Sequence, residues 1–207
     1  LGIQHVHVIE SVCEFHIPSA NALASGRGSL GNVAMGASRW LTVSRYRSSA
    51  ACYHRLRELG VQIFSSDCPP LMDGNEDGDE QKPTDQGLAW LTEKPGRDFD
   101  AKSIEDLDWH AAPSTALVFG NERRGVSKAF IDASDASFFL PMCGFTQSFN
   151  ISVAAAMSLW SAIASGAFPE GSLSKEEKAK LFALWLLRDI KAAKPILRNA
   201  GIELVDF

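Results

Sequence analysis

The sequence predicts an α/β fold, with a mostly parallel sheet and helices on both of its faces. Short apolar runs of strand length alternate with longer segments whose apolar residues recur at helical spacing. Strands that alternate with helices build parallel sheets, because a helix usually forms the returning connection. At 207 residues, with 45% hydrophobic and 22% charged residues, the chain is long enough for a sizeable core. We therefore expect a single domain over residues 1–207.

The predicted strands are His5–Ile9, Leu41–Val43, Gln62–Phe64, Leu88–Leu91, Ala116–Phe119 and Ala136–Leu140. The predicted helices are Ser48–Leu59, Asn150–Ala167 and a C-terminal helix over residues 175–193. The apolar faces around Ser152–Trp160 and Leu181–Trp185 exceed what one small sheet needs to cover it. We therefore expect these faces to pack between two copies of the chain in a homodimer.

Charge is distributed unevenly along the chain, whose 20 basic and 25 acidic residues give a net charge of −5. Asp67–Gln86 contains seven acidic residues against one lysine, together with several prolines and glycines. We interpret residues 68–86 as an acidic surface insertion, because such a composition buries little apolar surface. In contrast, Asn21–Gly60 contains six arginines against one acidic residue, and this local positive charge can attract phosphate.

The cysteines, the chain start and one long uncharged segment bear on location. Four cysteines occur without C-x-x-C spacing, which predicts reduced thiols rather than a zinc site or a disulfide framework. The start at Leu1 has no signal-peptide pattern, so we expect an intracellular protein, cytoplasmic or organellar. Ala136–Pro169 has no charged residue, but Gln147, Asn150 and six serines interrupt it and argue against a membrane span.

Two further patterns are compatible with other chemistry. Gly26–Gly31 matches G-x-G-x-x-G, the dinucleotide fingerprint of an NAD-dependent oxidoreductase. No strand precedes it, no clear helix follows, and no acidic residue lies about 20 residues on. A glycine loop whose Arg27 contacts phosphate is the favoured interpretation. His5 and His7 share one strand face, but no third ligand is evident, so we expect no metal.

The most informative residues lie where two predicted strands end. Gly120, Asn121 and Glu122 follow the strand Ala116–Phe119, and a glycine-containing loop after Leu140 leads into an alanine-rich helix. Carboxyl ends of strands form the binding crevice of open α/β sheets, so we expect a pocket for a small polar ligand there. Gly120 would let the ligand approach the backbone.

Ser148 and Asn150 lie at the start of the alanine-rich helix. Serine and asparagine are both good N-caps, but a helix needs only one. The second polar side chain would therefore remain available to orient a substrate. From the residues alone, we predict a pocket for a small polar ligand but no specific reaction.

Two long motifs identify a family resemblance. The segments F-G-N-E-x-x-G-V-S at residues 119–127 and L-P-M-x-G-x-x-x-S-F-N-I-S-V-A-A-A at residues 140–156 closely resemble motifs two and three of the SPOUT RNA methyltransferases. The likeness is closest to the TrmH family of tRNA guanosine 2′-O-methyltransferases. It implies a C-terminal trefoil knot, a homodimer and S-adenosylmethionine-dependent methylation of a ribose in RNA. A D-loop guanosine of tRNA is the implied substrate, with rRNA as the other RNA class.

The resemblance also implies roles for individual residues. Cofactor contacts are assigned to Leu91, Thr92, Gly120, Asn121, Leu140, Met142 and Phe149. Catalytic positioning is assigned to Asn150, Ser148 and Glu122, the last as support for the family's catalytic arginine. RNA phosphates would contact Arg27, Arg39, Arg45, Arg47 and the C-terminal helix, which implies a strong salt dependence of binding.

The family's first motif is represented here only by its tail, Leu1-Gly2. Its arginine and asparagine would precede residue 1, so neither is assigned to this chain. That arginine distinguishes an active methyltransferase from a catalytically inert RNA-binding relative.

Overall fold

The computed structural model describes residues 3–10, 40–68, 100–121, 124–143, 148–169 and 171–201. The chain falls into two compact units. The first contains residues 6–15 and 43–169, and the second contains residues 2–5, 16–42 and 170–207. Apart from Cys68, the predicted acidic insertion lies outside the described residues, as does the predicted strand Leu88–Leu91. The single domain over residues 1–207 stays a prediction.

The described elements begin and end close to the predicted bounds. In chain order they are β1 (His5–Ile9), β2 (Thr42–Tyr46), α1 (Ser49–Glu58), β3 (Gln62–Ser66), β4 (Lys102–Ser103), a 3₁₀ turn (Ile104–Asp106), β5 (Thr115–Val118), α2 (Lys128–Ala133), β6 (Ala136–Phe139), α3 (Ile151–Ala164), α4 (Lys175–Asp189) and α5 (Ala193–Asn199). The predicted C-terminal helix over residues 175–193 is wrong in its end, because α4 stops at Asp189. The strand β4 and the helices α2 and α5 were not predicted.

A four-stranded parallel sheet lies in the first unit, in the order β4-β6-β3-β5. Gln62 of β3 pairs with Thr115 of β5, and Phe64 of β3 pairs with Ala136 of β6. Because the strands run in the same direction, the carboxyl ends of β3, β5 and β6 lie at one edge. The strands β1 and β2 form a separate two-stranded sheet. The parallel α/β architecture is therefore confirmed.

Buried side chains cover both faces of the four-stranded sheet. Ile63 and Phe64 are neighbours in β3 and point to opposite faces, since side chains alternate along a strand. On the face of Ile63, the cluster contains Cys52 and Leu56 of α1 and Phe130 of α2. On the face of Phe64, it contains Ile104, Leu107, Trp109, Phe138 and Ala162, the last from α3. Helices therefore pack on both faces, as predicted.

Asp135 connects α1 to the start of β3 and β6. Its carboxylate accepts two hydrogen bonds from Arg57 Nη1, at 2.9 and 2.7 Å, and one from the backbone N–H of Ile63 at 2.7 Å. Arg57 Nη2 also donates to the Ala133 carbonyl at 3.0 Å. Hydrogen bonds between charged groups are the stronger ones in proteins, so this contact stabilises the packing of α1 on the sheet.

We expect Asp135→Ala to lower the free energy of unfolding by about 1–3 kcal/mol, because it removes charge-assisted hydrogen bonds to two elements. Glu58→Ala is the matched control. Glu58 also bonds an arginine, Arg55 at 3.1 Å, but both side chains are more than half exposed. Its loss should cost less than about 0.5 kcal/mol. Urea unfolding measures both variants, and equal midpoints would contradict the role of Asp135.

Candidate functional site

The edge formed by the carboxyl ends of β3, β5 and β6 brings several predicted site residues together. Gly120 and Asn121 follow β5, and Leu140 and Met142 follow β6. The strand β3 lies between β5 and β6, so its end lies between these two groups. The two predicted strand ends therefore share one edge of the sheet but are not adjacent.

Gly120 permits the loop after β5 to fold back on itself. A Cβ atom at this position would overlap the backbone of Gly125 and Val126. Asn121 closes the turn, because its carbonyl accepts from Gly125 N at 2.9 Å and its Oδ1 accepts from Arg124 N at 2.8 Å. The close approach at Gly120 is thus made by the chain's own backbone, and its contact with a cofactor stays a prediction. Glu122 lies outside the described residues.

Asn150 is the N-cap of α3, as the sequence suggested. Its Oδ1 accepts hydrogen bonds from Ser152 N at 2.9 Å and from Ser152 Oγ at 2.6 Å. These two bonds fix the orientation of the amide and occupy its oxygen. Within the described ranges its Nδ2 group has no hydrogen-bond partner, so a donor remains. Ser148 is exposed and Phe149 is half-buried.

The predicted cofactor residues after β6 are partly covered. Leu140 packs against the buried cluster that contains Phe64 and Phe138, and Met142 is half-buried. The following residues 144–147 lie outside the described part of the chain, as do the predicted contacts Leu91 and Thr92. Leu140 and Met142 are therefore partly covered apolar side chains that follow β6 at this edge.

The two described arginines of the predicted RNA-binding set differ in their contacts. Arg45 Nη1 donates to Glu10 Oε1 at 3.1 Å, and the Glu10 side chain is only 7% exposed. Arg47 is exposed and forms no ion pair among the described residues. Arg47 therefore has its charge available for a phosphate, whereas Arg45 is partly neutralised. Arg27 and Arg39 lie outside the described residues.

Sequence reasoning missed Ser66 and Asp67 as members of this edge. They end and follow β3, between the two motif loops, and the backbone N–H of Asp67 donates to the Phe138 carbonyl at 2.8 Å. Burial raises the pKa of the Asp67 carboxyl, the hydrogen bond from Cys68 N opposes this, and nearby Asp132 adds to the increase. The Ser-Ser-Asp that follows the predicted strand Gln62–Phe64 was the available signal.

The raised pKa of Asp67 predicts a pH-dependent effect of Asp67→Asn. Below the unfolded pKa of about 3.9, the carboxyl is neutral in both states and burial carries no charge penalty. As the pH rises through the folded pKa, ionisation becomes less favourable in the folded chain and stability is lost. We therefore expect Asp67→Asn to stabilise the protein at pH 7 and to be neutral at pH 3. Urea midpoints at both values test this, and a less stable variant at pH 7 would contradict it.

Two further features concern membranes and metals. None of the helices in the described ranges is long and apolar enough to cross a bilayer. Within the same ranges, no three histidine, cysteine or acidic side chains lie close enough together to hold a metal ion. His7 instead contacts Tyr46, with Nδ1 and the phenolic oxygen 2.9 Å apart.

Comparison with known proteins gives related RNA methyltransferases. The chain is 26% identical over 161 residues to the tRNA (guanosine(18)-2′-O)-methyltransferase of Borreliella burgdorferi, covering 78% of this chain and 54% of that protein. The enzyme of the same name from Thermus thermophilus is 35% identical over 91 residues, covering 42% and 46%. The 23S rRNA (adenosine(1067)-2′-O)-methyltransferase of Streptomyces azureus is 31% identical over 128 residues, covering 62% and 45%. The chain spans about half the length of these relatives.

A solved structure shares the fold. The crystal structure of the Aquifex aeolicus TrmH/SpoU tRNA modifying enzyme superposes with a TM-score of 0.59 at 19% identity, over 92% of this chain and 78% of that one. A sequence profile of the SpoU rRNA Methylase family matches residues 9–160, which include both strand-end motifs. The family resemblance drawn from those motifs is thereby confirmed: the chain belongs to the SpoU rRNA methylase family.

Proposed function

We propose that this chain carries out S-adenosylmethionine-dependent methylation of a ribose 2′-hydroxyl in RNA, with a D-loop guanosine of tRNA as the substrate. One observation carries the proposal. The two motif loops leave the same edge of a parallel sheet, on either side of β3, in a chain of a methylase family. All three relatives compared above are named as RNA 2′-O-methyltransferases, which supports the proposed reaction. Two of these names specify tRNA, which supports the proposed substrate.

The residues at this edge fit the chemistry of the cofactor. The half-buried Leu140, Met142 and Phe149 can enclose an adenine ring, and the Ser66 hydroxyl and the Asp67 carboxylate can bind ribose hydroxyls. When bound, S-adenosylmethionine supplies a methyl group activated by its sulfonium. We assign its binding to these residues together with the backbone of Gly120 and Asn121. Leu91 and Thr92 keep their predicted role.

In this proposal, Asn150 orients the RNA ribose. A 2′-hydroxyl is a weak nucleophile at neutral pH, so it needs alignment and a group that accepts its proton. The cap bonds to Ser152 hold the Asn150 side chain, and Nδ2 can donate to a substrate oxygen. Ser148 provides a second, exposed hydroxyl in the same loop. In this proposal Glu122 positions the arginine of the family's first motif, which is not among residues 1–207.

We propose a homodimer that forms through α3, which carries the first of the two apolar faces predicted to pack between copies. The second face, around Leu181–Trp185, is assigned another role below. Val153, Met157 and Trp160 recur at helical spacing and are 45%, 42% and 63% exposed. Covering such a face with a second copy removes apolar surface from water. Trp160→Lys should convert a sedimenting dimer to a monomer, whereas Leu59→Lys, at a 50% exposed position beside α1, should leave the dimer intact. A parent chain that sediments as a monomer at micromolar concentration would overturn this assembly.

We further propose that the C-terminal part of the first unit forms the trefoil knot that the family resemblance implies. The sheet order supports it, because β6 follows β5 in the chain but pairs between β4 and β3, while β5 pairs with the other side of β3.

We also propose an intracellular location, cytoplasmic or organellar. Cys68 and Cys143 are exposed free thiols, which suits a reducing compartment.

Cofactor binding and methyl transfer test the proposed function separately. Calorimetric titration of this chain should show saturable binding of S-adenosylmethionine and none of NAD. Transfer of tritiated methyl groups is then measured on tRNA transcripts with a D-loop guanosine or its 2′-O-methylated form, using the chain extended by the family's first motif. We expect label only in the unmodified tRNA.

The remaining outcomes distinguish the alternatives. Label in an rRNA fragment instead of tRNA would assign the second RNA class. Binding of S-adenosylmethionine and RNA without methyl transfer would make the protein an inert relative. Binding of NAD but not S-adenosylmethionine would overturn the proposal.

A further inference from the structure

We infer that the rings of Trp40, Phe182 and Trp185, here called the aromatic platform, stack an unpaired base of the bound RNA. The inference rests on the proposed function, because it names a further contact with the same class of substrate. All three residues belong to the second unit. Phe182 and Trp185 lie on α4, and Trp40 precedes β2. The platform is therefore built by one unit of the chain.

The platform combines a fixed centre with accessible rings. The ring centroids of Trp40 and Trp185 are 5.5 Å apart in an edge-to-face arrangement, and those of Phe182 and Trp185 are 6.1 Å apart. Trp185 is half-buried between them, whereas Trp40 and Phe182 are 46% and 63% exposed. A base that stacks on an exposed aromatic ring removes both surfaces from water, and every base has a face that can do so.

Hydrogen bonds hold the platform in place. The Trp40 carbonyl accepts from Trp185 Nε1 at 3.2 Å and from Gln4 Nε2 at 2.9 Å. Arg188 Nη1, one turn after Trp185, donates to the Leu41 carbonyl at 3.4 Å. These contacts fix the backbone at residues 40–41 against α4 before any ligand arrives. Trp185 at the centre of the platform then needs little further side-chain ordering when RNA binds.

The charge around the platform is complementary to RNA. Residues 171–201 contain seven basic residues against three acidic ones, a net charge of +4 in a chain whose total is −5. Lys175 and Lys178 precede Phe182 by seven and four positions, so they lie on the same side of α4. Lys178 Nζ contacts the Gly171 carbonyl, and Lys175 is exposed. Exposed aromatic rings beside phosphate-binding cations are typical of surfaces that bind single-stranded RNA.

Substitutions at Phe182 test stacking directly. Binding of a fluorescent single-stranded oligouridylate is compared with binding of an abasic oligonucleotide of the same length at fixed salt. We expect Phe182→Ala and Phe182→Leu to weaken oligouridylate binding about tenfold, and Phe182→Tyr to keep the parent affinity. Binding of the abasic probe should not change. Ile196→Ala, at a 58% exposed apolar position on α5, is the matched control and should behave as the parent.

The outcomes that would overturn the platform are distinct from those that reject the proposed function. Parent-like oligouridylate binding by Phe182→Leu would exclude stacking, as would an equal loss with the abasic probe. Dissociation of a homodimer by Phe182→Ala, without a change in oligouridylate affinity, would make this face a contact between copies. Titration of S-adenosylmethionine into the same samples separates the two proposals. If the parent binds the cofactor, but substitutions at residue 182 do not change the oligouridylate affinity, only the platform is rejected.

Discussion

Gly120→Ala should destabilise the protein by about 3 kcal/mol or more, one of the largest effects expected for a single methyl group. The added Cβ would overlap the backbone of Gly125 and Val126, which cannot move aside as a flexible side chain can. Relieving the overlap requires displacement of the loop that Asn121 closes through its bonds to Arg124 and Gly125. We therefore also expect weaker binding of S-adenosylmethionine by the fraction that remains folded.

Gly125→Ala is the control for Gly120→Ala, because it adds the same methyl group to the same loop. Gly125 has a φ of 63°, and a Cβ there meets open space. Gly125→Ala should lower the free energy of unfolding by about 1–2 kcal/mol, because alanine is strained in the left-handed conformation. Urea unfolding of both variants measures the difference. Equal midpoints would show that the loop adapts and that Gly120 is not needed for the close approach.

Replacing Asn150 should separate helix capping from methyl transfer, with a loss of turnover of about 100-fold or more. Asn150→Ala removes both the cap and the Nδ2 donor, so it should also lower stability by about 1 kcal/mol. Asn150→Asp is the sharper variant. Aspartate keeps an oxygen that accepts from Ser152 N, and it caps helices as well as asparagine, but it has no amide donor.

The two Asn150 variants are compared by kcat and by unfolding free energy on the same samples, in the chain extended by the family's first motif. If Nδ2 orients the ribose, Asn150→Asp should fold like the parent and transfer methyl groups far more slowly. If Asn150 acts only as a cap, Asn150→Asp should match the parent in both measurements. That second result would remove Asn150 from the catalytic residues.

Local patterns in the sequence determined most of the elements. The alternation within His5–Ile9 and the helical spacing within Ser48–Leu59 depend on residues a few positions apart, and β1 and α1 lie close to where these patterns predict. The cap at Asn150 is local in the same way. The family resemblance was inferred from two motifs, each of which is a continuous stretch of sequence. The strand β4 has only two residues, which is too short for a periodic signal.

Contacts between distant residues were decided only by the tertiary structure. Asp67 belongs to the candidate site because β3 pairs with both β5 and β6, whose pairing residues are more than 50 positions away. Arg45 is partly neutralised by Glu10, 35 residues earlier in the chain. The steric need for Gly120 arises from a loop that folds back after the strand has ended. Periodicity and capping act within a few residues, whereas strand order and ion pairing depend on which distant segments the folded chain brings together.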